Sequence, residues 1–394
     1  MMKNNVTRNE RLMLKGSLKK NGFERWRFIT NAVSLESGLE KVFFIEFYIL
    51  NPQVSPEECV LGFKNRFEKT AEDLQYALAG TESAESAASQ KFVVPSFTMV
   101  RAGYFGAGGR QVSAYFPNGQ IEFGKNEFVI RAGKGSESEC VFASDYCFGK
   151  IKVLPEDLSN HPEFLCSSGE IEWNLKFEKG LPFHSDSNAK ISHWAVLGGK
   201  CDCEGKIIAN GEEFSVTPIK SCAFFDKNWG HDFANPFIHL NSSNLTSQIT
   251  GKTLLDSCFA VQGEYNGTLS VLASVEGKNI EFYTSQKKKQ KISYECSEVN
   301  SDDVDNSGST LHWSVSASSK KIVVDIDIFC HADEMFLRDY ESPCGGRKLM
   351  RVLAGTGNGE LRIYKGSKKN LELLEHITVA GCTCEYGNIE YPEK

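Results

Sequence analysis

The feature that most constrains the fold is an alternation of apolar and polar residues with a period of two. It recurs in three separate segments, residues 171–178, 311–318 and 322–328. Because successive side chains of a β-strand point to opposite faces, each segment predicts a strand with one apolar face and one mostly polar face. Strands of this kind are typical of an antiparallel sheet or a barrel wall.

Turn signals separate many short apolar segments along the chain. They occur at Pro117-Asn118-Gly119, Asn210-Gly211, Tyr265-Asn266-Gly267 and Gly357-Asn358-Gly359. A helix is expected at only one place, residues 56–63 or 68–78. We therefore predict an all-β fold with two antiparallel barrels in tandem, one in residues 1–216 and one in residues 217–394.

Composition limits the classes of partner and the compartment. A net charge of -7 gives no basic surface, so no nucleic acid partner is expected. Residues 1–18 contain no apolar core segment, which predicts the absence of a secretory signal. The 13 cysteines are then expected to be reduced thiols of a cytoplasmic protein. The pairs Cys201/Cys203 and Cys382/Cys384 fit packed thiols better than a zinc site, although spacing alone leaves zinc open. Nucleotide-binding and metalloprotease motifs are missing, so no cofactor is expected.

The densest group of polar residues is the segment from Asp226 to Asp232. Two acids, a lysine, an amide, an indole and an imidazole lie there between apolar segments. If the segment continues a strand, Asp226 and Asn228 share one face, and Trp229 and His231 share the other. We interpret it as a site, with a hydrogen-bonded inter-domain linker as the alternative.

Two further segments carry candidate residues. Glu46 is the one charge in the apolar strand at residues 42–50, which also holds Tyr48. A buried carboxyl must be paired or protonated, so Glu46 is either a core salt bridge, to Arg25 or Arg27, or a pocket acid. The alternation at residues 23–28 predicts Arg25 and Arg27 on one face of a strand and Glu24 and Trp26 on the other. This segment and the pair at residues 193–194 add possible pocket walls. The residues concerned are Glu24, Trp26, Phe28, His193 and Trp194.

At these residues the chain resembles the tocopherol cyclase family. The segment at residues 23–28 stands where the family has an F-E-G-W-Y-F-like motif, and residues 226–230 stand where it has E-K-N-W-G. Wider relatives, which include carotenoid hydratases, Diels–Alder-type cyclases and lipid-carrying proteins, use two lipocalin-like barrels. The resemblance therefore implies lipocalin-like barrels that hold a greasy substrate, a prenylated quinol or another lipid, with transient contact at a membrane surface.

The family reaction adds a phenol hydroxyl across an alkene without a redox cofactor. It needs a protonated carboxylic acid in a dry pocket, a base for the phenol, and an aromatic wall for the developing cation. The resemblance implies Asp226 or Glu46 as the acid and His231 or Asp232 as the base. The substrate would lie against Glu24, Trp26, Phe28, Tyr48, His193, Trp194, Asn228 and Trp229. A non-catalytic lipid carrier and a hydratase on the same scaffold remain open as alternatives.

Overall fold

The computed structural model describes residues 8–62, 93–125, 127–161, 163–183, 187–188, 191–264, 269–283, 290–300, 309–346, 348–367 and 370–390. These residues are almost entirely in β-strands, and the strands form two large antiparallel sheets that follow one another along the chain. The predicted all-β architecture of two barrel-like sheets in tandem is confirmed.

Sheet 1 has 13 strands in the described residues. Their order is β4-β3-β2-β1-β12-β11-β9-β8-β7-β6-β5, with β10 paired to β11 and β13 paired to both β1 and β11. The strands are β1 (Phe23–Ser34), β2 (Glu40–Leu50), β3 (Phe97–Tyr104), β4 (Arg110–Phe116), β5 (Glu122–Phe123), β6 (Val129–Ala132), β7 (Cys140–Ala143), β8 (Tyr146–Val153), β9 (Gly169–Gly180), β10 (Ser187–Asn188), β11 (Ser192–Ala209), β12 (Glu212–Val216) and β13 (Ala223–Gly230).

Sheet 2 has 11 strands in the described residues. Their order is β18-β17-β16-β14-β24-β23-β21-β20-β19, with β15 paired to β24 and β22 paired to β23. The strands are β14 (Phe237–Ser242), β15 (Asn244–Ser247), β16 (Cys258–Glu264), β17 (Leu269–Val275), β18 (Lys278–Tyr283), β19 (Lys291–Asn300), β20 (Ser309–Ser318), β21 (Ile322–His331), β22 (Phe336–Glu341), β23 (Leu349–Ser367) and β24 (Asn370–Glu390).

Helices are few and short. The one α-helix of the described ranges, α1 (Pro155–Asn160), has a proline in its first turn and was not predicted. Short 3-10 helices lie at Arg8–Glu10, Gly16–Lys19, Asn118–Gln120 and Ala332–Glu334. The helix expected at residues 56–63 is wrong for residues 56–62, which form bends and a β-bridge. Residues 68–78 lie outside the described residues. None of the described helices has the length and apolar character that a membrane span requires.

The period-two segments all form strands, and they became β9, β20 and β21 as predicted. The turn predicted at Gly357-Asn358-Gly359 is wrong, because this segment lies inside β23 at a register shift. Its glycines serve close packing instead. A Cβ on Gly359 would lie 1.9 Å from the carbonyl oxygen of Asp327 on the neighbouring strand. The turn predicted at residues 265–267 lies outside the described residues.

Three apolar clusters stabilise the two sheets. One consists of side chains of sheet 1 and neighbouring residues and is rich in aromatic rings, among them Phe28, Phe142 and Phe225. A second fills sheet 2 with smaller aliphatic side chains. The third lies between the sheets, where Phe23 of sheet 1 and Phe237 of sheet 2 belong to one cluster. Both faces of β1 and β13 are therefore covered, as their uniformly buried residues show.

The chain passes from sheet 1 to sheet 2 between Gly230 and Phe237. The strand that contains the polar segment, β13, therefore belongs to sheet 1. It pairs with the first half of β1 on one side and with β11 on the other. The domain boundary between residues 216 and 217 stays a prediction about folding units.

Candidate functional site

Charged residues of sheet 1 form one row across four strands, on the face turned toward sheet 2. Asp226 of β13 lies opposite Arg27 of β1. Arg27 in turn lies opposite Glu46 of β2, and Glu46 lies opposite Arg101 of β3. All four side chains are fully buried. Opposite charges directly across from each other on one face of a sheet attract, so the row stabilises this pairing register.

Sheet 2 closes this row with its own buried polar residues. Arg27 donates through Nε and Nη2 to the two carboxylate oxygens of Asp226, at 3.1 and 2.9 Å. Its Nη1 donates to Glu385 of sheet 2 at 2.5 Å. Arg338 of sheet 2 donates to Glu385 at 2.8 Å and to Glu46 of sheet 1 at 2.5 Å. The ion pairs therefore connect the two sheets. We call this group the inter-sheet network; it comprises Arg25, Arg27, Glu46, Arg101, Asp226, His239, Arg338, Tyr340 and Glu385.

The three carboxyl groups of the network are ionised. Burial acts to raise the pKa of each, but the neighbouring guanidinium groups outweigh it. Arg27 holds the pKa of Asp226 below its usual range, and Arg338 does the same for Glu46. Arg27 and Arg338 together lower the pKa of Glu385 far below its usual range. This corrects the prediction that a dry environment keeps Asp226 or Glu46 protonated, since each faces arginine. The salt bridge of Glu46 to Arg25 exists at 3.7 Å, but Arg338 is closer.

His239 of β14 is the neutral base of the network. Burial, with help from the Arg27 guanidinium, lowers the pKa of its imidazole to about 4. Its Nε2 lies 2.8 Å from Nη2 of Arg27, and its Nδ1 lies 3.1 Å from Oε1 of Gln262. At neutral pH the imidazole is therefore uncharged, and both of its ring nitrogens have hydrogen-bond partners.

The opposite face of the same strands holds a separate charge pair. Glu24 of β1 and Lys227 of β13 are fully buried and lie 2.5 Å apart. The Lys227 ammonium sits between two indoles, 4.9 Å from the ring centre of Trp26 and 5.2 Å from that of Trp229. Cation–π attraction and the carboxylate thus hold a lysine in an otherwise apolar place. Burial raises the pKa of Glu24, and Lys227 opposes that rise.

This pair fixes the N-terminal segment over sheet 1. Glu24 accepts the backbone N–H groups of Met13 and Leu14 at 2.7 and 3.0 Å. Lys227 donates to the backbone oxygens of Asn9 and Arg11. Trp26 and Trp229 therefore do not wall a pocket beside Asp226, because they lie on the other face of the sheet. The faces themselves agree with the predicted alternation.

Three other predicted residues lie in β11 or β13, near Asp226 along the sheet. The indole Nε1 of Trp194 donates to Asp226 at 2.9 Å, so this side chain lies on the face of sheet 1 that carries the inter-sheet network. Asn228 accepts a hydrogen bond from Arg25 at 2.8 Å. His193 stacks on Trp229 with ring centres 5.2 Å apart, on the side away from the network.

The remaining predicted residues lie apart from one another. Phe28 is part of the aromatic core inside sheet 1, stacked on Phe177. Tyr48 packs between the sheets and donates to the backbone oxygen of Glu341 at 2.7 Å. Because β13 ends at Gly230, the two residues that follow leave the sheet.

His231 and Asp232 therefore do not face the carboxyl of Asp226. His231 is exposed, and its Nδ1 lies 2.8 Å from the backbone oxygen of Asn21. Asp232 forms an ion pair with Lys348 and accepts from Ser342 at 3.0 Å. The expectation that either residue serves as the base beside Asp226 is not supported by these positions.

A small cavity lies beside the network at the junction of the sheets. Its volume of about 20 Å³ is room for about one water molecule. Arg25 is its charged wall residue, and the other walls are aromatic or small and polar. The lining residues are Phe23, Arg25, Ser192, Trp194, Asn228, Phe233, Ala234, Phe237, Gln262 and Gly263.

The described residues offer no cluster of His, Cys, Asp and Glu that could hold a metal ion. All thirteen cysteines are free thiols. Burial raises the pKa of Cys201 and Cys203 and far raises that of Cys384, so these thiols are protonated side chains of the core.

Sequence reasoning missed the residues that sheet 2 contributes. Glu385 and His239 are buried polar residues, but each shares its strand with other polar residues, so neither stands out as Glu46 does in β2. Arg338 and Tyr340 share one face of the short strand β22, with Asp339 between them. Such signals identify buried polar groups, but they do not say which of them meet.

The solved structures that are similar to this chain include two that align with nearly all of it. No family model matches the chain, and no curated protein matches it. An AttH protein from Nitrosomonas europaea is similar over 91% of this chain and 92% of its own, with 11% identity and a TM-score of 0.43. Kievitone hydratase from Nectria haematococca is similar over 92% of this chain and 89% of its own, with 9% identity and a TM-score of 0.37. At such TM-scores neither activity is transferred to this chain, and the resemblance to tocopherol cyclases stays a prediction.

Proposed function

We propose that the protein binds a small hydrophobic molecule at the junction between its two sheets. The observation that carries this proposal is the cavity beside the inter-sheet network. Phe23, Phe233 and Phe237 give it an apolar wall, and a few polar groups converge on it. Buried apolar hollows with a small number of fixed polar groups are the usual form of small-molecule sites.

Ligand entry requires the connection between the sheets to move. The cavity of about 20 Å³ is far smaller than the roughly 300–1,000 Å³ of typical ligand sites. The lining residues Phe233, Ala234 and Phe237 all belong to the connection after β13 or to the start of β14. Displacing this connection enlarges the cavity without breaking a ladder of sheet 1.

Acid–base cyclisation of a prenylated quinol, as in tocopherol cyclases, is the second candidate. The observation that favours it is His239, a neutral imidazole in contact with Gln262, which lines the cavity. The pKa of about 4 makes this imidazole a weak base for a phenol, which places this candidate below binding. Binding is the better supported function, because the carboxyls of Asp226 and Glu46 are ionised and supply no proton.

The binding proposal is tested by filling the cavity. Ala234 is half-buried and lines it, so Ala234→Trp should occupy the space that a ligand needs. The matched control is Ala332→Trp, at an exposed site in the 3-10 helix between β21 and β22. We expect 1-decanol to bind the wild type and the control by calorimetry, and to bind Ala234→Trp at least about tenfold more weakly. A folded Ala234→Trp variant that binds decanol like the wild type would show that this cavity is not the site.

The cyclase candidate is tested separately by product analysis. The protein is incubated with a prenylated quinol and the products are separated by chromatography with mass detection. A product of unchanged mass and new retention time supports cyclisation, and an added water indicates hydration. Unchanged quinol leaves binding as the function. His239→Gln should abolish a cyclised product while decanol still binds.

A further inference from the structure

We infer that the ligand of the inter-sheet cavity carries a carboxylate, and that Arg25 binds it. This inference rests on the proposed function and adds the charge of the ligand to it. It follows from an arginine at the wall of an apolar hollow whose one ion pair, to Glu46, is long and shared with other groups.

Arg25 is nearly fully buried, at 3% exposure, and yet poorly paired. Its Nη2 donates to the neutral amide of Asn228 at 2.8 Å, and its Nη1 lies 3.4 Å from the hydroxyl of Tyr340. Its Nε has no hydrogen-bond partner. The nearest carboxylate, that of Glu46, lies 3.7 Å away. A buried guanidinium with one long ion pair and an unpartnered Nε is costly, so this geometry is suited to an incoming anion.

The carboxylate of Glu46 is already used by other groups. It accepts from Arg338 at 2.5 Å and from the Tyr340 hydroxyl at 2.9 Å. The carboxylates of Asp226 and Glu385 are likewise held by Arg27 and Arg338, respectively. None of the three is therefore free to turn toward Arg25.

The charges of the inter-sheet network do not balance. Its cations are Arg25, Arg27, Arg101 and Arg338, and its anions are Glu46, Asp226 and Glu385. His239 adds no charge at neutral pH. One positive charge is thus left over within the network. Arg25 and Arg101 are both poorly paired, and of the two Arg25 lines the cavity, where a ligand carboxylate would neutralise it.

Another buried acid, Glu341, does not neutralise Arg25. Glu341 follows Tyr340 in β22, so its side chain leaves the opposite face of the strand. Its carboxylate accepts the backbone N–H of Gly62 at 2.7 Å. It is therefore placed away from the cavity wall that Arg25 forms.

The walls around Arg25 suit the rest of such a ligand. The guanidinium lies 5.7 Å from the ring centre of Phe237 and 5.5 Å from that of Tyr340, which keeps its plane fixed. Phe23 and Phe233 are stacked 4.4 Å apart and offer an apolar surface for a hydrocarbon tail. A planar guanidinium with free donors matches a carboxylate in geometry as well as in charge.

The experiment compares decanoate with 1-decanol, which differ only in the head group. Both are titrated calorimetrically into the wild type, Arg25→Met, Arg25→Lys and the control Arg351→Met, at neutral pH. We expect the wild type to prefer decanoate by about tenfold or more, as a charge-assisted hydrogen bond would give. Arg25→Met should remove that preference while decanol binding changes less than about threefold, and Arg25→Lys should retain part of it.

The outcomes separate the inference from the function on which it rests. If the wild type binds both probes with equal affinity, the cavity is a hydrophobic site and the assignment of a carboxylate ligand is wrong. If it binds neither, the proposed function fails as well. If Arg25→Met does not fold, the ratio of decanoate affinity to decanol affinity in the wild type, and its reduction in Arg25→Lys, still show whether Arg25 binds the carboxylate. If folded Arg25→Met still prefers decanoate to decanol as the wild type does, Arg25 is not the group that binds the carboxylate.

Discussion

Replacing Asp226 by asparagine distinguishes a structural carboxylate from a catalytic acid. The two side chains have nearly the same shape, so the change removes charge without leaving a cavity. Asp226 receives three hydrogen bonds, two from Arg27 and one from Trp194. Removing one partner of a buried ion pair costs about 3–5 kcal/mol, because the other charge stays buried. We expect Asp226→Asn to lose about this much free energy of unfolding at neutral pH.

A protonated Asp226 predicts a different result. Asparagine resembles a neutral carboxyl group, so the loss would be about 1 kcal/mol, the value of one ordinary hydrogen bond. The assay is urea unfolding followed by tryptophan fluorescence, with Asp339→Asn as the matched control. Asp339 pairs with Arg351 at 3.0 Å, and both side chains are partly exposed, so its loss should be at most about 1 kcal/mol. If Asp226→Asn is no more destabilising than this control, the conclusion that Asp226 is ionised in the folded protein is wrong.

The pH dependence of stability also distinguishes an ionised Asp226 from a protonated one, because the two states predict changes of opposite sign. Because the pKa of Asp226 is lowered from 3.8 in the folded protein, its carboxylate stabilises the fold above that value. The difference between wild type and Asp226→Asn should therefore be constant near neutrality and shrink only as the pH falls below about 3.8. A raised pKa would instead make the wild type gain stability as the pH falls from neutrality.

Three further substitutions test other parts of the structure. Lys227→Met leaves the Glu24 carboxylate buried without its cation, so it should lower the free energy of unfolding by about 3–5 kcal/mol and speed hydrogen exchange at residues 9–14. Adding Glu24→Gln should recover part of this loss, and additive losses would contradict the pairing. The folded protein holds the pKa of His239 at about 4, so between pH 6.5 and 4 the unfolded chain binds a proton that the folded one does not. Wild-type stability should fall by up to about 3 kcal/mol over that interval, and urea unfolding of His239→Gln should show a flatter profile. Gly359→Ala should destabilise by about 1–3 kcal/mol in thermal unfolding, because its Cβ would meet the backbone oxygen of Asp327; an unchanged Tm would contradict that close approach.

The sequence was sufficient to predict strands and faces. A period of two is a local property of the chain, so it assigned Arg25 and Arg27 to one face of β1 and Glu24 and Trp26 to the other. It likewise separated Asp226 from Trp229. The predicted set of site residues combined both faces of the sheet: Trp194 and Asn228 line the cavity, whereas Trp26 and Trp229 lie on the opposite face.

The partners of the buried charges could not be predicted in the same way. Arg27 meets Asp226 and Glu385 at sequence separations of 199 and 358 residues. Glu46 meets Arg338 at a separation of 292 residues. Pairing over such distances depends on strand order and on how the sheets face each other, and no local pattern encodes either. The exposure of His231 has a similar cause, since it depends on where β13 ends.

The two faces of β1 and β13 differ in what they leave available to a ligand. On the face of Glu24 and Lys227, every donor of the ammonium is used by this chain, and the N-terminal segment covers the pair. The indole Nε1 of Trp26 also lacks a hydrogen-bond partner on that face, but Trp26 does not line the cavity. On the face of Arg25, the guanidinium retains an unpartnered Nε at the edge of a hollow. Because unsatisfied buried donors favour an added acceptor, a ligand gains most on this second face. Chemistry at the junction should therefore depend on Arg25 and its aromatic neighbours, and the indoles of Trp26 and Trp229 should affect it only through stability.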